Sequence, residues 1–159
     1  GAALAEDAQL RADLRVVDRD RRPVRRERRE VAPAVEVDQV ADDGAGGREL
    51  ARALHRSIDG ADDVRIVASS DLSHFHPASR AEAMDARVAQ AVERFDVDGL
   101  SRDLERSECE ACGGGPILSA LMYAQALSRT NSRVLKYAHS GHITGDNLSV
   151  VGYLSAVIW

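Results

Sequence analysis

The chain is poor in cysteine, holding only Cys109 and Cys112, three positions apart. Two thiols this close make no disulfide framework and suit a reducing cytoplasm. Positive charge is not in surplus. The formal net charge is −5 and the pI near 5.5, a balance that argues against a general nucleic-acid binder. No stretch approaches the roughly 20 apolar residues that a membrane span needs, and no basic segment followed by an apolar one marks an export signal. These absences predict a cytoplasmic protein that meets neither membranes nor nucleic acid. No internal repeat is present, and 159 residues suffice for one domain that buries about 70% of the surface its unfolded chain exposes.

Residues 1 to 56 also lack Ser, Thr, Ile, Lys and Phe, and the first serine is Ser57. Nine of the 21 Lys and Arg residues fall between 11 and 29, interleaved with acids and with almost no large apolar side chain. Such a stretch buries too little surface to offset its ordering entropy, so residues 1–47 are expected to be disordered or loosely attached. Two other readings stand beside this one. The first is an arginine-rich arm for an anionic partner, its field weakened by the intervening Asp and Glu. The second is translation of a GC-rich gene in a shifted frame, since every residue type present can be written with codons beginning in G or C.

From Arg48 to Ile58 the spacing of Leu50, Leu54 and Ile58 predicts an amphipathic helix. Gly60, Asp62 and Asp63 then make a turn. Val64, Ile66 and Val67 read as a buried strand that ends in the polar run from Ser69 to His76. Open α/β sheets gather ligands at the carboxyl ends of their strands. Asp71 and His74 are therefore a candidate pair for one pocket; the plainer reading is that Asp71 caps a turn and His74 satisfies it. Helices are predicted over 78–95, started by Pro77, over 97–105, capped by Asp96 or Asp98, and over 117–127. Strands follow over 133–138 and 149–159. Helices alternating with at least three strands predict an α/β fold, a partial sandwich with a central mixed sheet flanked by helices.

Gly113, Gly114 and Gly115 separate Cys112 from the helix over 117–127, and the free N–H groups and dipole at such a helix start favour a thiolate nearby. Cys112 is thus better placed than Cys109 as a ligand or nucleophile. A redox Cys-x-x-Cys pair ordinarily follows a strand directly, and no second pair completes a four-sulfur zinc site. Inert burial is the remaining alternative. His139 and His142 are expected as loop residues and His76 as solvent-facing. Tyr137 and Tyr153 are expected in the core with their hydroxyls satisfied, and Trp159 at an edge.

The blocks Ser69-Ser-Asp-Leu-Ser-His74, Cys112-Gly-Gly-Gly-Pro-Ile117, Tyr137-Ala-His-Ser-Gly141, Thr144-Gly-Asp146 and Ser149-Val-Val-Gly-Tyr-Leu-Ser-Ala156 resemble, in the same order, the C-terminal half of the Memo-like family. Its prokaryotic members are often called AmmeMemoRadiSam system protein B. The resemblance covers about residues 48–159. It implies a fold similar to the class III extradiol dioxygenases and a metal, iron or copper. In the family that metal is bound by two histidines of the N-terminal half and a cysteine that corresponds to Cys112, with Asp71 and His74 matching the pocket positions beside it. The Gly-Pro-x-His and His-Ser-Leu-Glu-Val segments expected before residue 64 are absent here, so the chain resembles a truncated copy with an altered, weakened site.

On this reading Cys112 and His74 are metal ligands, while Asp71 and His74 are the catalytic groups, His74 as ligand or general base and Asp71 orienting it. The resemblance implies a metal-dependent redox or dioxygenase-like protein. The alternative is a non-catalytic module or scaffold that binds a small molecule or peptide. AMMECR-type and radical-SAM proteins are partners implied by the resemblance alone. An open sheet edge and an exposed apolar face predict homo-oligomers.

Overall fold

In the computed structural model, which describes residues 44–58 and 64–159, the chain forms α1 (Gly44–Ile58), β1 (His74–His76), α2 (Ala78–Glu93), α3 (Val97–Glu105), α4 (Gly114–Ala126), β2 (Ser132–His139), α5 (Gly141–Thr144) and β3 (Val150–Ile158). Local chemistry sets most of these boundaries. Pro77, at φ −55° and ψ 144°, keeps the chain extended and releases it into α2, as its fixed φ predisposes it to do. Phe95, in the left-handed region at φ 56°, turns the chain after α2. Asp96 then caps α3 by accepting the Gly99 N–H at 2.8 Å, so of the two expected caps it is the one used. α4 starts three residues before its apolar run, with Gly113 as its cap.

Val88 and Val92 of α2 join Leu72, Leu100, Leu118, Leu121 and Cys109 in one apolar core. α1 packs on α4, but not through the expected leucine stripe. Gly47 and Ala51 are the buried residues of α1, while Leu50, Leu54 and Ile58 are only partly covered. Small side chains at a helix contact let the two axes come close. The expected disorder of 1–47 and the turn at Gly60 to Asp63 lie outside the described residues, apart from 44–47, which open α1. No helix among the described residues is long and apolar enough to cross a membrane.

The strands lie in the order β1-β3-β2 with both pairs antiparallel. The α/β class is as expected, although the sheet among the described residues is antiparallel rather than mixed. The strand expected at Val64 to Val67 accounts for the difference. That segment has no ladder, and Val67 is 85% exposed. β-branched residues make a strand only where a neighbour accepts and donates the backbone hydrogen bonds. A register shift between Val134 and Lys136 interrupts the β2–β3 ladder and leaves Leu135 exposed, the effect of a bulge. Tyr153, expected in the core, is exposed. Val150, Gly152 and Leu154 take the inner face of β3, and the alternation of side chains along a strand sends Tyr153 outward. Trp159 is exposed at the chain's end, with its backbone paired to Asn131.

Asp85 of α2 ties the layers together. It is fully buried, and its carboxylate accepts the Ser73 N–H at 3.0 Å and the Tyr137 O–H at 2.7 Å. It also lies against Gly152 of β3, where a Cβ would stand 1.9 Å from Oδ2; only glycine leaves that space. Burial, and then the bond to Asp85, push the Tyr137 phenol well above its ordinary range. Tyr137 is thus a partly buried ring with its hydroxyl satisfied, as expected. Tyr137→Phe removes one of the two partners of a buried carboxylate and is expected to destabilise the chain by about 1–3 kcal/mol. Urea unfolding monitored by circular dichroism checks this; an unchanged midpoint would show that the bond supports nothing.

Candidate functional site

The stretch from Ser70 to Ser73 is held on one side by Gly152 of β3, which bonds Leu72 and Ser73, and on the other by the loop that precedes α4. Cys112 donates its N–H to the Asp71 carbonyl at 3.1 Å, and the Asp71 N–H reaches back to Cys112 Sγ at 3.2 Å. Ser70 Oγ accepts the Gly113 N–H at 2.8 Å and lies 3.8 Å from the same sulfur. This approach depends on glycine at 113, where a Cβ would meet the Ser69 carbonyl oxygen at 2.6 Å.

Beyond the thiol, His74 Nε2 stands 3.6 Å from Asp71 Oδ2. One sulfur, one ring nitrogen and one carboxylate oxygen from Cys112, His74 and Asp71 all lie within 4.8 Å of one another. The three residues singled out in the sequence are therefore brought together. They share a rim open to solvent: the Asp71 and His74 side chains are 49% and 32% exposed, and Cys112 is exposed. Asp71 and His74 face each other because the chain bends from an irregular segment into β1, not because it is helical.

Both cysteines are free, but they differ. Cys109 sits in the core, where burial, and after it the negative charge of Asp103, push its thiol up to about 11. It is the inert member of the pair.

Two neighbours escaped the reading of the sequence. His76 does not face solvent: it is partly buried, with Nε2 3.0 Å from Glu110 Oε1. The other oxygen of Glu110 accepts the His74 N–H at 3.3 Å. Burial works to raise the Glu110 carboxyl, but the bonds from His76 and from the His74 amide outweigh it and hold the group below its ordinary value. Phe75, between the two histidines, takes a left-handed φ of 60° and turns its ring to solvent, with its centroid 5.8 Å from that of His74. Backbone in this region costs a β-strand residue about 1–3 kcal/mol and is kept where the surroundings force it. His139, expected in a loop, is instead the buried last residue of β2, and His142 lies in α5.

A family model described as Memo-like protein matches residues 30–157, starting upstream of the boundary expected at residue 48. A MEMO1 family protein of Methanosarcina mazei is 38% identical over 93 residues, 58% of this chain and 35% of that protein. One of Sulfolobus acidocaldarius is 35% identical over 126 residues, 79% of this chain and 43% of its own length. One of Methanococcoides burtonii is 38% identical over 112 residues, 70% of this chain and 41% of the relative. The chain thus spans less than half the length of these curated relatives.

Iodoacetamide at about pH 8 should modify Cys112 and leave Cys109 intact, because a buried thiol is both shielded and held protonated. Peptide mass spectrometry reads the result, and equal labelling of the two would contradict the burial of Cys109. Glu110 carries a pH dependence whose sign follows from its lowered carboxyl. Its stabilisation is present above the unfolded carboxyl value of about 4.3 and is lost as pH falls through the lower folded value. Glu110→Gln should therefore melt below the parent at neutral pH and converge with it in acid. A gap of the same size at both pH values would remove the charge of Glu110 from the account.

Proposed function

The chain belongs to the Memo-like protein family, and from that premise we propose that it binds one transition-metal ion, iron or copper, through Cys112, His74 and Asp71. The observation that carries this reading is the convergence of their sulfur, nitrogen and oxygen atoms within 4.8 Å on an accessible rim. The donor set fits the group: thiolate and imidazole suit iron(II) and copper, and three protein ligands leave further positions open. When bound, such an ion supplies Lewis acidity and electron-transfer chemistry, which supports a redox or dioxygenase-like activity.

The chain's own groups prepare the pocket. The Asp71 N–H and Ser70 Oγ border the sulfur and hold it in place. Asp71 lies 3.6 Å from Nε2 of His74, so that nitrogen serves as a ligand beside Asp71 or, where the ion leaves it free, as a general base with Asp71 orienting its ring. Glu110 fixes the His74 main chain from the Cys112 loop, and this keeps imidazole and thiol at a constant separation.

A second reading, binding of a small molecule without catalysis, draws on a cavity of about 560 Å³ lined by Ile66, Ser70, Ile117, Leu121, Tyr123 and Leu154 among others. Its size is that of small-molecule sites. Ser70 belongs to both features, since it also borders the Cys112 sulfur.

Elemental mass spectrometry after anaerobic loading with iron(II) or copper and gel filtration tests the metal reading. Cys112→Ala and His74→Ala should each lose about one equivalent relative to the parent chain, the loss expected when a ligand of a three-residue site is removed. A parent that retains no metal would discard this reading and leave the cavity as the binding site.

A further inference from the structure

β3 has a free edge. On the β1 side the Gly152 N–H donates to the Ser73 carbonyl at 3.0 Å, and the Gly152 carbonyl accepts the Leu72 N–H at 2.9 Å. Backbone groups of successive strand residues point to opposite edges, so Leu154, Ala156 and Ile158 present theirs on the same side as Gly152. The residues between them bond β2, in step with the bonds from Ser140 to Val151 and between Asn131 and Trp159. Among the described residues nothing bonds the N–H and C=O groups of Leu154, Ala156 and Ile158. The outer edge of β2, by contrast, is closed by the Glu93 carboxylate at the Val134 N–H.

These three residues line the cavity of about 560 Å³, and so do Val64, Ile66 and Val67. The latter have strand-forming side chains but no ladder, so an open strand edge and an unladdered stretch border the same gap. From Leu154 to Ile158 the edge runs about 14 Å at strand rise. α4 flanks the cavity from Ile117 to Leu127, about 15 Å at helix rise, so the gap has the length of about five strand residues. No charged side chain stands between Leu154 and Ile158, and bare edges of this kind are where another chain pairs. Arg129 also lines the cavity. Its guanidinium has no partner among the described residues, and none of the described lining residues is acidic. Asn131 pairs with Trp159, which puts Arg129 at the Ile158 end of the gap.

We infer that this gap receives one extended polypeptide segment, which adds a strand antiparallel to β3 through Leu154, Ala156 and Ile158 and sets an acidic residue at its N-terminal end against Arg129. In such an addition the main-chain bonds supply affinity and alternate side chains supply specificity. Residues that exchange bonds across an antiparallel pair project to the same face. Leu154 and Ile158 pack against the core, so the segment's residues opposite them are apolar. Val64 to Ala68 line the other side of the gap, which leaves room for one strand and not for the edge of a second copy with its own β2 behind it. The inference concerns this cavity and not the Cys112 pocket, so metal content has no bearing on it.

The peptide acetyl-Asp-Val-Thr-Val-Thr-Val-amide, titrated into the full chain by isothermal calorimetry, tests this, and the parent should bind it. N-methylation of the valine amides removes the donors aimed at β3 and should weaken binding about tenfold or more, since each lost bond weakens a complex by a factor of a few. N-methylation of the threonine amides, which point away from β3, should leave most of the binding. Arg129→Glu should weaken it about threefold, and a peptide with Lys in place of Asp should recover the loss. Ala156→Pro deletes the middle donor of the edge while its neighbours keep their bonds to β2, so binding should fall with circular dichroism unchanged. Equal binding of the parent peptide and both methylated forms, or no binding of any, would overturn the inference. So would a dimer in sedimentation that Ala156→Pro dissolves, which would give the edge to a second copy.

Discussion

A buried carboxylate with two donors holds this fold in register. Taking Asp85 out of water is unfavourable unless its oxygens are satisfied, and the Ser73 N–H and Tyr137 O–H satisfy them from two different parts of the chain. α2 is thereby tied at once to the segment that carries Asp71 and His74, to β2, and to the surface of β3 at Gly152. The segment before β1 has no ladder of its own, so its position rests on this carboxylate, on the paired bonds between Gly152 and its neighbours Leu72 and Ser73, and on the Cys112 loop.

A site built on such a segment gains access and remains defined. Hydrogen bonds run in both directions between Asp71 and Cys112, one to a carbonyl and one to the sulfur, and Ser70 and Glu110 hold the flanks. Rigid elements surround these irregular residues, an arrangement in which loops carry ligating groups with little loss of precision. The strained Phe75 belongs to the same economy: its left-handed turn leaves His74 and His76 partly covered while its own ring faces out. On the far side of β3, Nε2 of the buried His139 lies 3.3 Å from Glu82 of α2, and the His142 ring stacks on it.

The edge of the sheet shows a similar substitution of side chain for backbone. At the outer strand β2, the Val134 N–H donates to the Glu93 carboxylate of α2, where a further strand would otherwise supply a carbonyl. Charged groups on an edge also discourage pairing with a second chain. Large apolar side chains nevertheless stand exposed at Val64, Val67, Leu135, Val157 and Trp159.

What the sequence by itself determined is what acts over a few residues. Pro77 and Asp96 start their helices, the runs over 133–138 and 149–159 form β2 and β3, and the glycines after Cys112 open α4. That Cys112 rather than Cys109 stands accessible before α4 was legible for the same reason, since a helix start is a local signal, and the family blocks singled out Asp71 and His74, which the fold brings beside it. Tertiary structure alone decided the rest. Whether Val64 to Val67 form a strand depends on a neighbour the pattern does not name, and which face of β3 Tyr153 takes depends on where α2 packs. Glu110 meets His74 across 36 positions, and Glu82 meets His139 across 57. Nothing in the spacing of those residues encodes such encounters; the first follows from the loop before α4 running beside β1 and the second from α2 lying across the sheet, because side-chain chemistry over long separations is set by which backbones the fold brings side by side.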